Sequence, residues 1–178
     1  MTTPSGTSRN PWGTWAAVLA RLILGGVFLY MGLNKALDPV GFLKLVRQYD
    51  LVHGPPWINL VAVTVPWLEA FCGALLVAGV AVRGTALLAL AMLVPFTALV
   101  IRRALEIQAA TGSAFCAIRF DCGCGAGEVW ICAKIVENTL LTLLALFLTA
   151  CRSHRWAARP FLLAAGTPGP AREPSPAP

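Results

Sequence analysis

The sequence predicts an all-α protein: an integral membrane four-helix bundle with a short amphipathic interfacial helix and a cysteine-rich loop before the last span. Two observations lead to this prediction. Hydrophobic residues make up 57% of the 178 residues and charged residues only 12%, which is more apolar surface than a soluble domain of this length can bury. The apolar residues also cluster into runs of roughly 20 residues with almost no charge, the length that crosses a hydrocarbon core of about 30 Å.

The chain is predicted to consist of a transmembrane domain, residues 14–156, between two polar tails. Residues 1–13 and 157–178 are rich in proline and small polar residues, so we expect both tails to be disordered. The spans are predicted at about residues 15–33, 57–80, 85–101 and 129–150. The first run is too long for the core of a signal peptide and is not followed by a small-residue cleavage site, so it is expected to remain as the first span.

Residues 39–49 have the pattern of an amphipathic helix between the first two spans. Asp38 is placed to cap this helix, and Pro39 fits its first turn. Apolar and charged residues alternate around it with helical spacing, which favours a position on the membrane surface. Glycines six apart in the first two spans, Gly26 with Gly32 and Gly73 with Gly79, indicate either a duplicated hairpin or small residues at helix contacts.

The net charge of +6 is interpreted as contact with lipid, because many of the basic residues flank the apolar runs. No basic stripe interleaved with aromatic residues is present in the sequence, so nucleic-acid binding is not expected. The flanking basic residues expected at lipid headgroups are Lys35, Arg83, Arg102, Arg103, Arg152 and Arg155.

Four spans place both tails on one side of the membrane and both long connections on the other. The counts of basic residues on the two sides are similar. The basic carboxy-terminal tail has few acidic residues beside it, whereas Asp38 and Asp50 accompany the basic residues of the first connection. We therefore expect cytoplasmic tails and an extracytoplasmic cysteine loop, in a bacterial inner membrane.

Four of the six cysteines, Cys116, Cys122, Cys124 and Cys132, lie in the string FCAIRFDCGCGAGEVWIC. Glycine between and after Cys122 and Cys124 gives the backbone freedom to bring two sulfurs into bonding range, and so short a ring suits exchange better than a permanent link. Arg119 and the start of the last helix, expected near Glu128, would stabilise a thiolate. We expect Cys122 and Cys124 to exchange electrons at a solvent-accessible mouth, with Cys116 and Cys132 as onward partners.

Three other interpretations of these cysteines remain open. A pair of structural disulfides would fix the loop, and unreactive thiols are also compatible with the spacing. A zinc site is a third possibility, although C-x5-C-x-C-x7-C is not a usual zinc pattern. The corresponding functions are a non-catalytic scaffold subunit with a stapled loop, or a metal-handling membrane protein. No metal ligand is assigned from the sequence.

Arg21, Glu69, Lys134 and Glu137 are ionisable residues within the predicted spans. Because charge in a bilayer is costly, each is expected to have a partner or a function. The simplest arrangement is an internal ion-pair network, which Asn138 would extend by hydrogen bonds. Proton relay and contact with a quinone, for which Glu69 and Glu137 are the candidate residues, are the alternatives.

Three strings of the sequence match a known pattern: RLILGGVFLYMGLNKALDPVGFLKLVRQYDL, PWLEAFCGALLVAGVAVRGTALLALAM and FDCGCG. In these strings, which cover about residues 20–150, the chain resembles the DoxX-like superfamily, and within it the MauE branch. It implies a four-helix membrane bundle related to disulfide-bond oxidoreductases, with a redox role on the extracytoplasmic face. The partner it implies is a thioredoxin-like protein or a cysteine-rich client.

Site residues are assigned from this resemblance position by position. Cys122 and Cys124 would be the working pair, and the scaffold positions would be Arg21, Lys35, Tyr49, Pro66, Glu69 and Gly73. The chain departs from the branch by reading CGCGAGE where CGCFG is more usual, and Cys116 and Cys132 look like additions. A client of the branch is therefore not expected to be shared by this chain.

Overall fold

The computed structural model describes residues 11–49, 54–123 and 127–151. Within these residues, four helices are long and apolar enough to cross a membrane. They are α1 (Pro11–Leu37), α3 (Pro55–Ala78), α4 (Val82–Thr111) and α5 (Ile131–Ala150), and the shorter α2 (Pro39–Gln48) joins the first two. The prediction of a four-span helical membrane protein is confirmed. Residues 1–10 of the predicted amino-terminal tail, all of the predicted carboxy-terminal tail (157–178) and the last residues of the predicted transmembrane domain (152–156) lie outside the described residues.

The helix α4 is longer than the sequence predicts, since it continues from the apolar run to Thr111. Its last turns are held by Glu106, whose carboxylate accepts hydrogen bonds from Arg102 at 3.0 Å and Arg103 at 3.2 Å. Pairs three and four residues apart on one helix face stabilise a helix in water. Helix α4 therefore extends beyond its apolar part, into a segment that the sequence assigned to the loop.

Helices α1 and α3 pack along most of their length, with two glycines at the closest points. A Cβ atom at Gly73 would lie 2.7 Å from the carbonyl oxygen of Gly25 and would overlap the backbone of Leu29. A Cβ at Gly32 would lie 2.7 Å from the carbonyl oxygen of Pro66. The interpretation as helix-contact residues is therefore confirmed for Gly32 and Gly73. It is wrong for Gly26, where an added Cβ would meet nothing within 4 Å, while Gly79 ends α3 with a φ of 76°.

Helix α4 packs mainly against α5, while α3 and α4 make far fewer contacts with each other. The buried residues form two apolar clusters along the bundle. The first, around Leu24, Leu76 and Leu148, lies toward the end where α3 turns into α4. The second contains Cys122 and lies at the opposite end, which we call the loop end.

The loop end combines α2 with a short β-hairpin. The Asp38 side chain accepts a hydrogen bond from the Gly41 backbone N–H at 2.9 Å, so the predicted cap of α2 is confirmed. Strand β1 (Arg119–Asp121) pairs antiparallel with β2 (Glu128–Trp130). The sequence did not predict this hairpin, and α5 begins after it at Ile131 instead of near Glu128.

Candidate functional site

A disulfide joins Cys116 to Cys132, with 5.1 Å between their Cα atoms. Cys116 lies in the 3₁₀ turn Phe115–Ala117, and Cys132 lies in the first turn of α5. Cys116 is exposed and Cys132 is partly exposed. The bond therefore closes the hairpin segment onto α5 while presenting one of its sulfur-bearing residues at the surface of the loop end.

Cys122 follows strand β1 and is buried, with 1% of its surface exposed. It belongs to the second apolar cluster, against which Cys132 also packs. The sequence-based expectation that this cysteine is open to solvent is therefore wrong for the described conformation. Cys124, its predicted partner, lies outside the described residues.

The backbone around Cys122 is fixed by its neighbours. The Tyr49 hydroxyl donates a hydrogen bond to the Cys122 carbonyl oxygen at 3.3 Å. The next residue, Gly123, has a φ of 74° and donates its N–H to the Asp121 carboxylate at 2.9 Å. Because a residue with a side chain is strained at this positive φ, the glycine after Cys122 serves the turn that positions the cysteine.

Arg119, expected to stabilise a thiolate, stacks on an aromatic ring. Its guanidinium carbon lies 4.7 Å from the centre of the Trp130 ring, directly across the hairpin in the strand register. A cation over an indole face is an attractive contact. In this structure Arg119 therefore joins the two strands that lead to and from the segment containing Cys122.

A buried ion pair joins Lys35 and Glu69 inside the bundle, near the loop end. The Lys35 Nζ atom is 2.6 Å and 2.7 Å from the two carboxylate oxygens of Glu69, and the side chains are only 3% and 11% exposed. Nζ also lies 5.3 Å and 5.6 Å from the ring centres of Phe42 and Phe96. The assignment of Lys35 to the lipid headgroups is wrong, because the lysine neutralises an acid inside the bundle.

The other predicted charged residues occupy different places. Lys134 is buried and donates to Glu137 at 2.9 Å, while Glu137 is about half exposed. Lys134 also contributes to the electrostatic field at Glu69. Arg21 lies fourteen residues before Lys35 on α1, which is about 21 Å at the rise of an α-helix. The structure thus pairs Glu69 with Lys35 and Lys134 with Glu137, and places Arg21 toward the opposite end of α1 from Lys35.

Asn138, predicted to extend the network, is fully buried and donates to the Thr97 hydroxyl of α4 at 3.1 Å. Thr97 in turn donates to the Leu93 carbonyl oxygen at 2.7 Å. A buried polar link of this kind fixes the register of two helices in an apolar environment. It contributes to the α4–α5 contact, on which the position of Cys132 depends.

An apolar pocket of about 320 Å³ lies between α2, α3 and α4. Glu69, Lys35 and Cys122 all contribute to its wall, whereas Glu137 does not appear among its described lining residues. A second, more polar cleft of about 550 Å³ adjoins it, and Lys35 and Gly123 line both. Of the two acids suggested for a quinone contact, Glu69 lines this pocket and Glu137 does not.

The sulfur atoms do not form a metal cluster in the described part of the chain. No group of three or more His, Cys, Asp or Glu side chains converges there. Two of the four cysteines suggested as zinc ligands are bonded to each other, and a disulfide sulfur is not the thiolate that zinc binds. In this oxidised state Cys116 and Cys132 are therefore not available as a zinc pair.

These features define a four-span membrane protein with a disulfide-forming cysteine pair at one end of the bundle. The family model described as "Methylamine utilisation protein MauE" matches residues 13–151, so the chain belongs to the MauE family. No curated protein and no solved structure matches the chain. The MauE part of the sequence resemblance is confirmed.

Proposed function

We propose that this protein is a membrane thiol–disulfide redox relay that takes electrons from an extracytoplasmic client and passes them to the membrane. The observation on which the proposal depends is the Cys116–Cys132 disulfide, which has one exposed cysteine and packs against the apolar cluster containing Cys122. One accessible disulfide and one buried cysteine within a single cluster are the parts that a two-step relay needs.

The exposure of the cysteines favours an order opposite to that expected from the sequence. A client thiolate attacks the exposed Cys116 sulfur and releases Cys132 as a thiolate. The second client thiol then displaces Cys116, so that the client gains a disulfide and the protein gains two thiols. The Cys132 and Cys116 thiols next reduce a Cys122–Cys124 disulfide, which carries the same two electrons toward the membrane.

The client and the location belong to the same proposal. The client is a thioredoxin-like or cysteine-rich protein outside the cytoplasm, and the loop end faces that compartment in a bacterial inner membrane. The family description refers to methylamine utilisation, but the CGCGAGE string differs from the usual form in the branch, so we propose a client particular to this chain. Membership of the wider DoxX-like superfamily is also part of the proposal.

Trapping a mixed disulfide tests the exchange step. In Cys132→Ser, the Cys116 thiolate can attack the disulfide of an oxidised client, in the reverse of the exchange step, and releases one client thiolate. Because Cys132 is absent and cannot resolve the adduct, a client-linked disulfide is expected to accumulate at Cys116 when oxidised client is present in native membranes. Cys151→Ser is the matched control, because Cys151 follows the opposite end of α5 and has no disulfide. An adduct that forms equally in the control, or none at Cys116 despite normal protein abundance, contradicts the relay.

A scaffold subunit with a stapled loop is the second candidate, and the same disulfide favours it. It closes a segment with a sequence separation of 16 residues, and in the chain-entropy model a loop of about 15 residues is stabilised by roughly 3 kcal/mol. If the bond only staples, Cys116→Ser/Cys132→Ser lowers protein abundance. If it exchanges electrons, the double variant accumulates and assembles but leaves the client reduced.

A further inference from the structure

The apolar pocket beside Cys122 is a site that the relay's thiol chemistry does not by itself explain. Its volume, about 320 Å³, lies at the lower end of the roughly 300–1,000 Å³ typical of small-molecule sites. Its described lining is almost entirely apolar and aromatic, with Lys35 and Glu69 as the charged pair and Tyr49 as the further polar side chain. The pocket therefore suits a flat apolar group bearing one or two polar atoms.

The pocket is placed to receive that group from lipid. It lies between α3 and α4, the neighbouring helices with sparse mutual contacts. Val61 and Val65 line it from α3, and Ala91, Pro95 and Leu99 line it from α4, all within the apolar spans. Since Pro95 has no N–H to donate, the Ala91 carbonyl does not receive the usual helix hydrogen bond from that residue.

The charged pair gives the pocket its chemistry. Lys35 is held by Glu69 and by two aromatic rings, so its ammonium is fixed at the pocket wall. It also lines the polar cleft on the other side. An ammonium placed there donates a hydrogen bond to a ligand oxygen and stabilises negative charge that develops on it in a site of low dielectric.

We propose that this pocket binds the ring of a quinone, whose isoprenoid tail leaves between α3 and α4, and that Cys122 delivers electrons to it. The proposal rests on the relay function, in which Cys124 is the partner of Cys122. In each cycle the Cys122 and Cys124 thiols form one disulfide and release two electrons and two protons. The quinone takes both electrons and both protons and leaves as the quinol.

Direct binding tests the pocket independently of turnover. Purified protein in lipid nanodiscs is titrated with decylubiquinone, whose fully substituted ring cannot add thiols, and saturable binding above the partition into empty nanodiscs is expected. Ala91→Phe, which fills the pocket, should weaken binding at least about tenfold. Ala98→Phe is the matched control, since Ala98 is also exposed on α4 but does not line the pocket.

A second measurement covers the case in which Ala91→Phe does not fold. Wild-type protein is photolabelled with an azidoquinone, and the label is expected on peptides containing Phe42, Val65 or Phe96, with decylubiquinone competing. Label confined to other surfaces, or equal binding of 1-decanol, which has a tail and no ring, overturns the proposal. So does binding by Ala91→Phe as tight as that of the wild-type protein.

The relay itself is measured separately, by reduction of the Cys116–Cys132 disulfide with a stoichiometric dithiol. Ala98→Phe, which lies outside the pocket, should leave this step unchanged. Failure of quinone binding with intact dithiol exchange removes only the quinone site. Failure of dithiol exchange in the wild-type protein removes the relay on which it rests.

Discussion

Breaking the Lys35–Glu69 ion pair is expected to cost far more stability than breaking an ion pair at the surface. Both side chains are almost fully buried, and Nζ contacts both carboxylate oxygens. Removing one partner leaves an uncompensated charge in a medium of low dielectric, which typically costs about 3–5 kcal/mol. Lys35→Met and Glu69→Gln should each lose stability in that range.

The two single variants should not be equal. Glu69→Gln removes the carboxylate that pairs with Lys35 and that also interacts electrostatically with Lys134. The positive charges of Lys35 and Lys134 then remain inside the bundle. Lys35→Met leaves Glu69 with the field of Lys134. We therefore expect Glu69→Gln to be the more destabilised variant.

The double variant Lys35→Met/Glu69→Leu supplies the decisive comparison. Replacing both members of a buried pair by apolar residues is often neutral or stabilising by about 1–4 kcal/mol, so the double variant should be markedly more stable than either single one. Arg102→Met is the control, since it removes an exposed partner of Glu106 and should change stability little.

Unfolding in mixed micelles of increasing SDS fraction, followed by circular dichroism, gives the free energies. Single variants that resemble the Arg102→Met control would refute the reasoning. A double variant as unstable as Glu69→Gln would also refute it, because the cost would then not come from an unpaired charge.

Two further predictions concern packing and orientation. Gly73→Ala should lower the free energy of unfolding in detergent by about 1–3 kcal/mol, because the added Cβ meets the backbone of α1 near Leu29. Gly26→Ala is the control and should not lower it, since nothing lies within 4 Å of the added Cβ. Equal losses in the two variants would contradict the close approach of α1 and α3. After mild reduction, a membrane-impermeant maleimide added to intact cells should label Cys116 and leave Cys151 unlabelled; the reverse pattern would place the loop end in the cytoplasm.

The spans could be predicted from the sequence because a nearly uncharged run of about 20 residues matches the thickness of the hydrocarbon core. Their ends were less predictable. Hydropathy marks the part of a helix that crosses the membrane and does not show where the helix ends. The part of α4 held by Glu106 was therefore assigned to a loop. The hairpin strands have only three residues each, too short for an alternating pattern to show.

The charged site was predicted in part. Glu69 inside an apolar run indicated a buried partner, but the cations that the sequence offered for it were Arg21 and Lys134. Lys35 was assigned to the headgroups because it follows the apolar run, and only the packing of α1 on α3 brings it to Glu69. Helix α2 packs so that Phe42 covers Lys35, and no pattern in the local sequence predicts this packing.

The cysteine site was also predicted only in part. Clustering of the cysteines predicted the loop as the reactive region, but four cysteines allow three pairings, and the sequence does not choose among them. Cys116 and Cys132 meet because the 3₁₀ turn packs on α5. The burial of Cys122 depends on residues from α1, α4 and α5, most of which are far from it in the sequence.

The relay is tested most directly by mapping the oxidation state of every cysteine in native membranes. Thiols are blocked at once with one isotopic form of a maleimide, and the disulfides are then reduced and blocked with a second form before mass spectrometry. With electron acceptors present, Cys116 and Cys132 should be found as a disulfide; when the membrane acceptor is depleted and a reduced client is supplied, both should become thiols. A disulfide that never changes under either condition, or thiols that are never oxidised, would contradict the relay.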